Sequence, residues 1–191
     1  MKLHYKGAYD LNPDSLPHGA HKPNAKRFKE AETTKQLSII ANTGCILLMV
    51  MLAIPAWIRC RAYLDFWQPM IGCLVSQLLL FPHELLHAIC FKEDVYLYTN
   101  WKQGMLFVVG PETMSKSRFI VMSLLPNIAF GFIPYALGMI FPNCVFLAAL
   151  GVFCIGMGFG DYYNVFNAIT QMPKGARTYL YKFNSYWYMP D

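Results

Sequence analysis

Hydrophobic positions along this chain come in long unbroken runs, without the alternating or three-to-four-residue spacing of an element with one watery face. From Leu37 to Ile58 there are 22 residues without a formal charge. That is enough to cross the ~30 Å hydrocarbon layer of a bilayer as a helix rising 1.5 Å per residue. A second run, Phe66 to Phe91, is apolar apart from the cluster His83, Glu84 and His87. A third, Phe119 to Phe141, carries no charge, and a fourth, Cys144 to Ile169, is interrupted only by Asp161. Four such stretches predict four transmembrane helices. Between the second and third, Val95-Tyr96-Leu97-Tyr98-Thr99 and Met105-Leu106-Phe107-Val108-Val109 are rich in β-branched and aromatic residues. Lys102-Gln103-Gly104 can turn between them, and Gly110-Pro111 ends the second run. This pattern predicts a β-hairpin. The expected fold class is an all-α polytopic membrane protein of four transmembrane helices, with a small cytoplasmic β-hairpin between helices two and three. It divides into a hydrophilic N-terminal segment (1–36), a membrane core (37–169) and a tail (170–191).

Composition agrees with the pattern. Of the 191 residues 55% are hydrophobic and 14% charged, against about 25% charged in a soluble domain, and such a composition also excludes disorder. The first 36 residues hold seven of the sixteen Lys and Arg and contain no apolar run followed by a small-residue cleavage site, so no secretory signal peptide is expected. With the N-terminus in the cytoplasm, the inside segments 1–36, 92–118 and 170–191 carry seven, four and three Lys/Arg, while the outside loops carry only Arg59 and Arg61. The positive-inside rule therefore places both termini in the cytoplasm. Trp57, Tyr63, Trp67, Phe141 and Trp187 stand near the expected interfaces, as an aromatic belt requires. The net charge of +5 follows from this topology, and its spread over three segments gives no reason to expect a nucleic-acid partner. The six cysteines form no C-x-x-C pair and read as small packing residues, with Cys60 and Cys144 both expected near the outer face.

One cluster carries chemistry. In His83-Glu84-Leu85-Leu86-His87 the two histidines are four residues apart, so a helix presents both imidazoles on one face to a single ion. Zinc accepts such nitrogen ligands at ~2.0–2.1 Å. Glu84 stands where it can take a proton from a water on that ion, which makes it the candidate general base. Ionisable groups at membrane depth cost at least ~2.5–3.5 kcal/mol each for the charged types and by default mark function. Pro82 removes a backbone donor and leaves the Leu78 carbonyl without its helical partner, so a kink or fresh helix start is expected beside the cluster.

Two histidines and a water leave zinc one protein ligand short. His4, His18 and His21 all lie in the N-terminal segment, and Asp161 is the only other acidic residue inside an expected span. His83 lies 17 residues from Phe66 and Asp161 lies 17 residues from Cys144, so both reach the same depth in spans running outward to inward. The small residues of Gly156-Met157-Gly158-Phe159-Gly160 let span four approach span two closely. Asp161 is thus the expected third ligand, with Asn164 or Asn167 next in line.

H-E-L-L-H-A at the inner end of one span, with an aspartate in a later span, resembles the site-2 protease type of intramembrane zinc metalloprotease. The small size, the hairpin, Gly160-Asp161-Tyr162-Tyr163-Asn164 and Met172-Pro173-Lys174-Gly175-Ala176 resemble a family of small bacterial membrane proteins known as zincin peptidases. The likeness covers roughly residues 66 to 190. It implies a zinc-dependent hydrolase in the bacterial plasma membrane acting on a peptide or membrane-protein substrate near the cytoplasmic face. The chain departs from the larger site-2 proteases in having Tyr162 rather than glycine after Asp161. Leu125-Pro126-Asn127 resembles their Gly-Pro-x-x-Asn element loosely, which implies Asn127 as a substrate-binding residue. Against the enzyme stands a non-catalytic membrane protein whose zinc site is structural or sensing, and a closed fourth ligand would mark it. A further expectation is that the 95–109 hairpin offers an edge strand to an extended substrate.

Overall fold

The computed structural model describes residues 2–101 and 105–190; the turn expected at Lys102-Gln103-Gly104 lies outside the described residues. Thr33 opens the first helix by accepting the Gln36 N–H on its hydroxyl at 3.2 Å. Helix α1, Thr34–Cys60, runs on through a 3₁₀ turn to Tyr63, giving 30 residues of continuous apolar helix with Ile46, Leu47, Val50, Met51 and Ile54 exposed. Helices α2 (Trp67–Leu78) and α3 (Leu80–Ala88) meet at a 42° bend. Helix α4 (Lys116–Asn127) continues through a π turn at Ile128–Phe132 into α5 (Ile133–Ile140), a 25-residue apolar unit. Helices α6 (Val145–Met157) and α7 (Phe159–Gln171) meet at 53°. Two helices are thus long and apolar enough to cross a membrane, or four if each bent pair counts as one span.

Helix α6 is the most enclosed helix. Its Val145, Ala148 and Val152 pack with Ala56 and Cys60 of α1. Close approach depends on glycine. A Cβ on Gly138 of α5 would lie 2.3 Å from the Ala148 nitrogen, and one on Gly151 would lie 2.5 Å from the backbone of Tyr135. Packing of this kind, backbone against backbone through small residues, holds helices together where lipid removes the hydrophobic driving force between them. All six cysteines are free thiols, and Cys60 and Cys144 are not joined.

The all-α expectation needs correction, because two small sheets are present. Strands β3 (Val95–Asn100) and β4 (Met105–Val109) pair antiparallel, with Leu97 opposite Val108. Beside β3 lies β1 (Leu3–Ala8), parallel to it, so the order is β1-β3-β4. The second sheet has the order β2-β7-β6-β5, from β2 (Lys26–Arg27), β5 (Met114–Ser115), β6 (Arg177–Tyr181) and β7 (Asn184–Tyr188). A lone two-stranded hairpin is marginal in water, and a third strand or a packed helix completes it. The tail carries its own signal in Thr178-Tyr179-Leu180-Tyr181 and Ser185-Tyr186-Trp187-Tyr188, two aromatic-rich runs around a short turn in which Lys182 takes φ +56°.

A polar clamp ties the end of α3 to the start of α4. Glu112 accepts the N–H groups of Lys92 and Glu93 at 2.7 and 3.1 Å and pairs with Arg118, whose Nε donates to the Cys90 carbonyl at 2.9 Å. Burial pushes the Glu112 carboxyl up, but the Arg118 guanidinium and the two N–H groups outweigh it and hold it below the ordinary carboxylate range.

Candidate metal centre

Pro82 sets the local geometry of α3. It has no N–H for the Leu78 carbonyl, and α2 ends at Leu78. The chain turns at Leu79, whose N–H reaches Val75 O at 2.9 Å, and helical bonding resumes with the His83 N–H on Leu79 O at 2.9 Å. His83 and His87 then stand one turn apart on the same face, with ring centroids 4.8 Å apart. Candidate ligand atoms of His83, Glu84 and His87 all lie within 4.8 Å of one another.

The fourth helical unit delivers Asp161 to this face. Helix α6 ends at Met157, Gly158 makes the 53° bend, and Asp161 follows in the first turn of α7. A Cβ on Gly158 would sit 1.6 Å from Asn127 Oδ1, so glycine is required there by the close passage of α4. Asp161 Oδ2 lies 3.1 Å from His83 Nε2, and Oδ1 lies 3.4 Å from His87 Nε2.

Each of these side chains is held by an outer partner. His87 Nδ1 donates to the Met122 carbonyl at 2.9 Å, which places the proton on Nδ1 and turns the Nε2 lone pair toward Asp161. That carbonyl is free to accept because Pro126, four residues on, has no N–H to give it. Asn127 Nδ2 donates to Asp161 Oδ2 at 2.7 Å and to Ser123 O at 3.0 Å, and its Oδ1 accepts from the Tyr162 hydroxyl at 3.2 Å. Asn127 is 1% exposed, and both ends of its amide are used within the protein. The residue implied as a substrate contact is therefore placed behind Asp161. Glu84, 8% exposed, accepts the Val108 N–H on Oε2 at 3.0 Å.

The donor set fits zinc in its chemistry, since imidazole nitrogens and a carboxylate are ligand types that this ion takes, and Asp161 reaches His83 through Oδ2 at 3.1 Å and His87 through Oδ1 at 3.4 Å. Two neutral imidazoles and one carboxylate leave a net positive site. A second carboxylate, Glu84, stands beside it and is anchored by a backbone amide.

Two histidines one turn apart, a remote aspartate and an adjacent buried glutamate thus meet at one place in the helical core. Residues 77–177 match the family model described as "Putative zincin peptidase", and the chain belongs to that family. Membership points to a zinc metallopeptidase and to zinc as the metal. The matched stretch contains His83, Glu84, His87, Asn127 and Asp161. No curated protein and no solved structure matches the chain.

The sequence reading missed the backbone partners. Neither the Val108 N–H nor the Met122 carbonyl has a side-chain signature, although Pro126 marks the second indirectly. Of the reserve ligands, Asn167 Oδ1 accepts from Gln171 Nε2 at 2.9 Å, and Asn164 lines a neighbouring cavity.

Proposed function

We propose that this protein is a membrane-embedded zinc metallopeptidase that hydrolyses peptide bonds near the cytoplasmic face. The observation that carries the reading is the meeting of His83 Nε2, His87 Nε2 and the Asp161 carboxylate beside the anchored Glu84. His83, His87 and Asp161 would hold the metal. Zinc, when bound, supplies a Lewis acid for the scissile carbonyl and acidifies water. Glu84 is the catalytic base: the Val108 N–H fixes Oε2, so Oε1 takes the proton of the attacking water and returns it to the leaving amine. Asn127 is a positioning residue that orients Asp161, and Tyr162 orients Asn127 in turn.

An extended substrate suits the sheet beside the centre. The free edge of the hairpin belongs to β4, because β1 occupies the other side of β3; Val95–Thr99 is therefore a central strand and offers no edge. The Val108 N–H points out of the ladder toward Glu84, so a peptide pairing with this edge would pass the metal. Topology with both termini inside is supported by the sheets, which join residues of 1–36, 92–118 and the tail, the three segments rich in Lys and Arg.

The test is Glu84→Gln in the purified protein, with metal content and peptide hydrolysis measured side by side. Zinc retained in both proteins and turnover confined to the parent is the expected result. Loss of zinc in the variant would mean that Glu84 is a ligand and the roles are wrongly assigned.

A further inference from the structure

Against β4 lies a cavity of about 260 Å³. Phe107, Val108 and Val109 all line it, with Asn100 of β3. Alternation and register send the side chains of 100, 107 and 109 to one face of the sheet, so the cavity lies over that face. The Val108 N–H meets Glu84 at the outer edge of the same strand, and a peptide paired along that edge would send alternate side chains to this face. Tyr163 and Asn164, which follow Asp161 by two and three residues, line it from α7. The cavity thus approaches the metal centre through Val108, whose N–H binds Glu84, and through Asn164, about one helical turn from Asp161, while the ligand candidates themselves do not line it. Its volume is below the ~300–1,000 Å³ of pockets for drug-sized ligands and suits a single side chain.

The remaining wall comes mostly from the N-terminal segment and the tail, with Leu37 of α1 beside them. It is mostly carbon, but Glu30 stands in it, the only formally charged side chain among the lining residues. Glu30 Oε1 accepts the Ser185 N–H at 2.6 Å, and no Lys or Arg among the described residues forms an ion pair with it. Burial pushes its carboxyl above the ordinary range despite the opposing pull of hydrogen bonds from Ser185 and Asn184 and of the more distant Arg27 charge. Tyr9 also lines the cavity, its ring edge-on to Phe107 with centroids 5.6 Å apart.

Resting on the peptidase reading, we propose that this cavity receives a substrate side chain next to the scissile bond and that Glu30 selects lysine or arginine there. An apolar side chain would seal the Glu30 carboxylate away from water with no cation to replace it, which is costly. A cationic side chain matches both parts of the lining. Its methylenes lie along Phe107, Val109 and Phe183, and its head group, which only donates, finds the Glu30 carboxylate.

The experiment uses the full chain in detergent, zinc-loaded and carrying Glu84→Gln so that peptides stay intact. Calorimetric titration compares three acetylated, amidated alanine pentapeptides with lysine, arginine or norleucine at the centre. At least one cationic peptide is expected to bind tenfold or more tightly than the norleucine peptide. Glu30→Gln, which keeps the oxygen that Ser185 needs, should bring that ratio to about one, and Glu30→Asp should preserve a preference. Norleucine binding as well as both cations, no binding of any peptide, or a preference untouched by Glu30→Gln would each overturn the proposal. The comparison within the Glu84→Gln protein needs no variant of Glu30. The peptidase reading fails separately: the same preference in a zinc-loaded parent that cleaves nothing would sink catalysis and leave the pocket standing.

Discussion

Helix α1 and the pair α2–α3 are both apolar and both contain proline, yet only the pair is broken. Pro55 lies inside the continuous 27-residue α1, while Pro82 follows a 42° bend. The difference lies in what each helix touches after its proline. Beyond Pro55, α1 keeps Ala56 and Cys60 packed on α6 through apolar contacts and carries no charged side chain until Arg59. Beyond Pro82, His83 and His87 meet Asp161, His87 reaches Met122 O, and Glu84 reaches the Val108 N–H. A missing N–H permits a break; polar contacts in the new direction maintain it. The pair α6–α7 sharpens the lesson, since it bends by 53° without proline, at a glycine that Asn127 crowds. In both bent pairs the ligands stand within two turns of the break.

The largest effect is expected at the end of these contacts. Asp161→Asn should lower zinc affinity by more than the ~10–100-fold typical of an outer-shell partner and abolish hydrolysis, with the helical content unchanged by circular dichroism. Zinc bound as tightly as in the parent would place the third ligand elsewhere.

Gly158→Ala comes next, because its new Cβ lands on Asn127. Overpacking of about 1–3 kcal/mol and an affinity loss of about 10–100-fold through Asn127 are expected, read by thermal unfolding and zinc competition. Normal affinity would show that the bend does not need this glycine.

Pro126→Ala restores an N–H that competes for the Met122 carbonyl with His87. Zinc affinity should fall by about tenfold, the lower end of the outer-shell range. Pro55→Ala is the counterpart in α1 and should leave zinc affinity unchanged; an equal loss there would end the distinction between the two prolines.

The smallest effect concerns the clamp behind α3. Glu112 has a lowered carboxyl pKa, so its stabilisation is complete above its ordinary value of 4.5 and is lost as pH falls through the lowered one. Glu112→Gln should cost about 2 kcal/mol at neutral pH and flatten the acid limb of the stability profile. An unchanged limb would assign acid sensitivity to other carboxylates.

The hydrophobic runs located the helices, and the i, i+4 spacing of His83 and His87 together with the depth of Asp161 brought the ligand candidates to one level. These were legible because an apolar run long enough to cross a membrane, and an ionisable group inside it, both stand out in a sequence. The sheets were less legible. Strand β1, Leu3–Ala8, has no strong alternation and owes its conformation to β3, while the aromatic tail carried a strand signal that a purely helical reading passed over.

What the sequence by itself determined is the apolar frame, the charge asymmetry of its flanks and the residue types of the centre, since each follows from local composition and helical period. Only the tertiary structure decided that Asn127 stands behind Asp161, that β4 owns the free edge, and that the Val108 amide and Met122 carbonyl hold Glu84 and His87. Every residue carries the same backbone donor and acceptor. Which of them is left over to orient a side chain depends on where helices break and strands end.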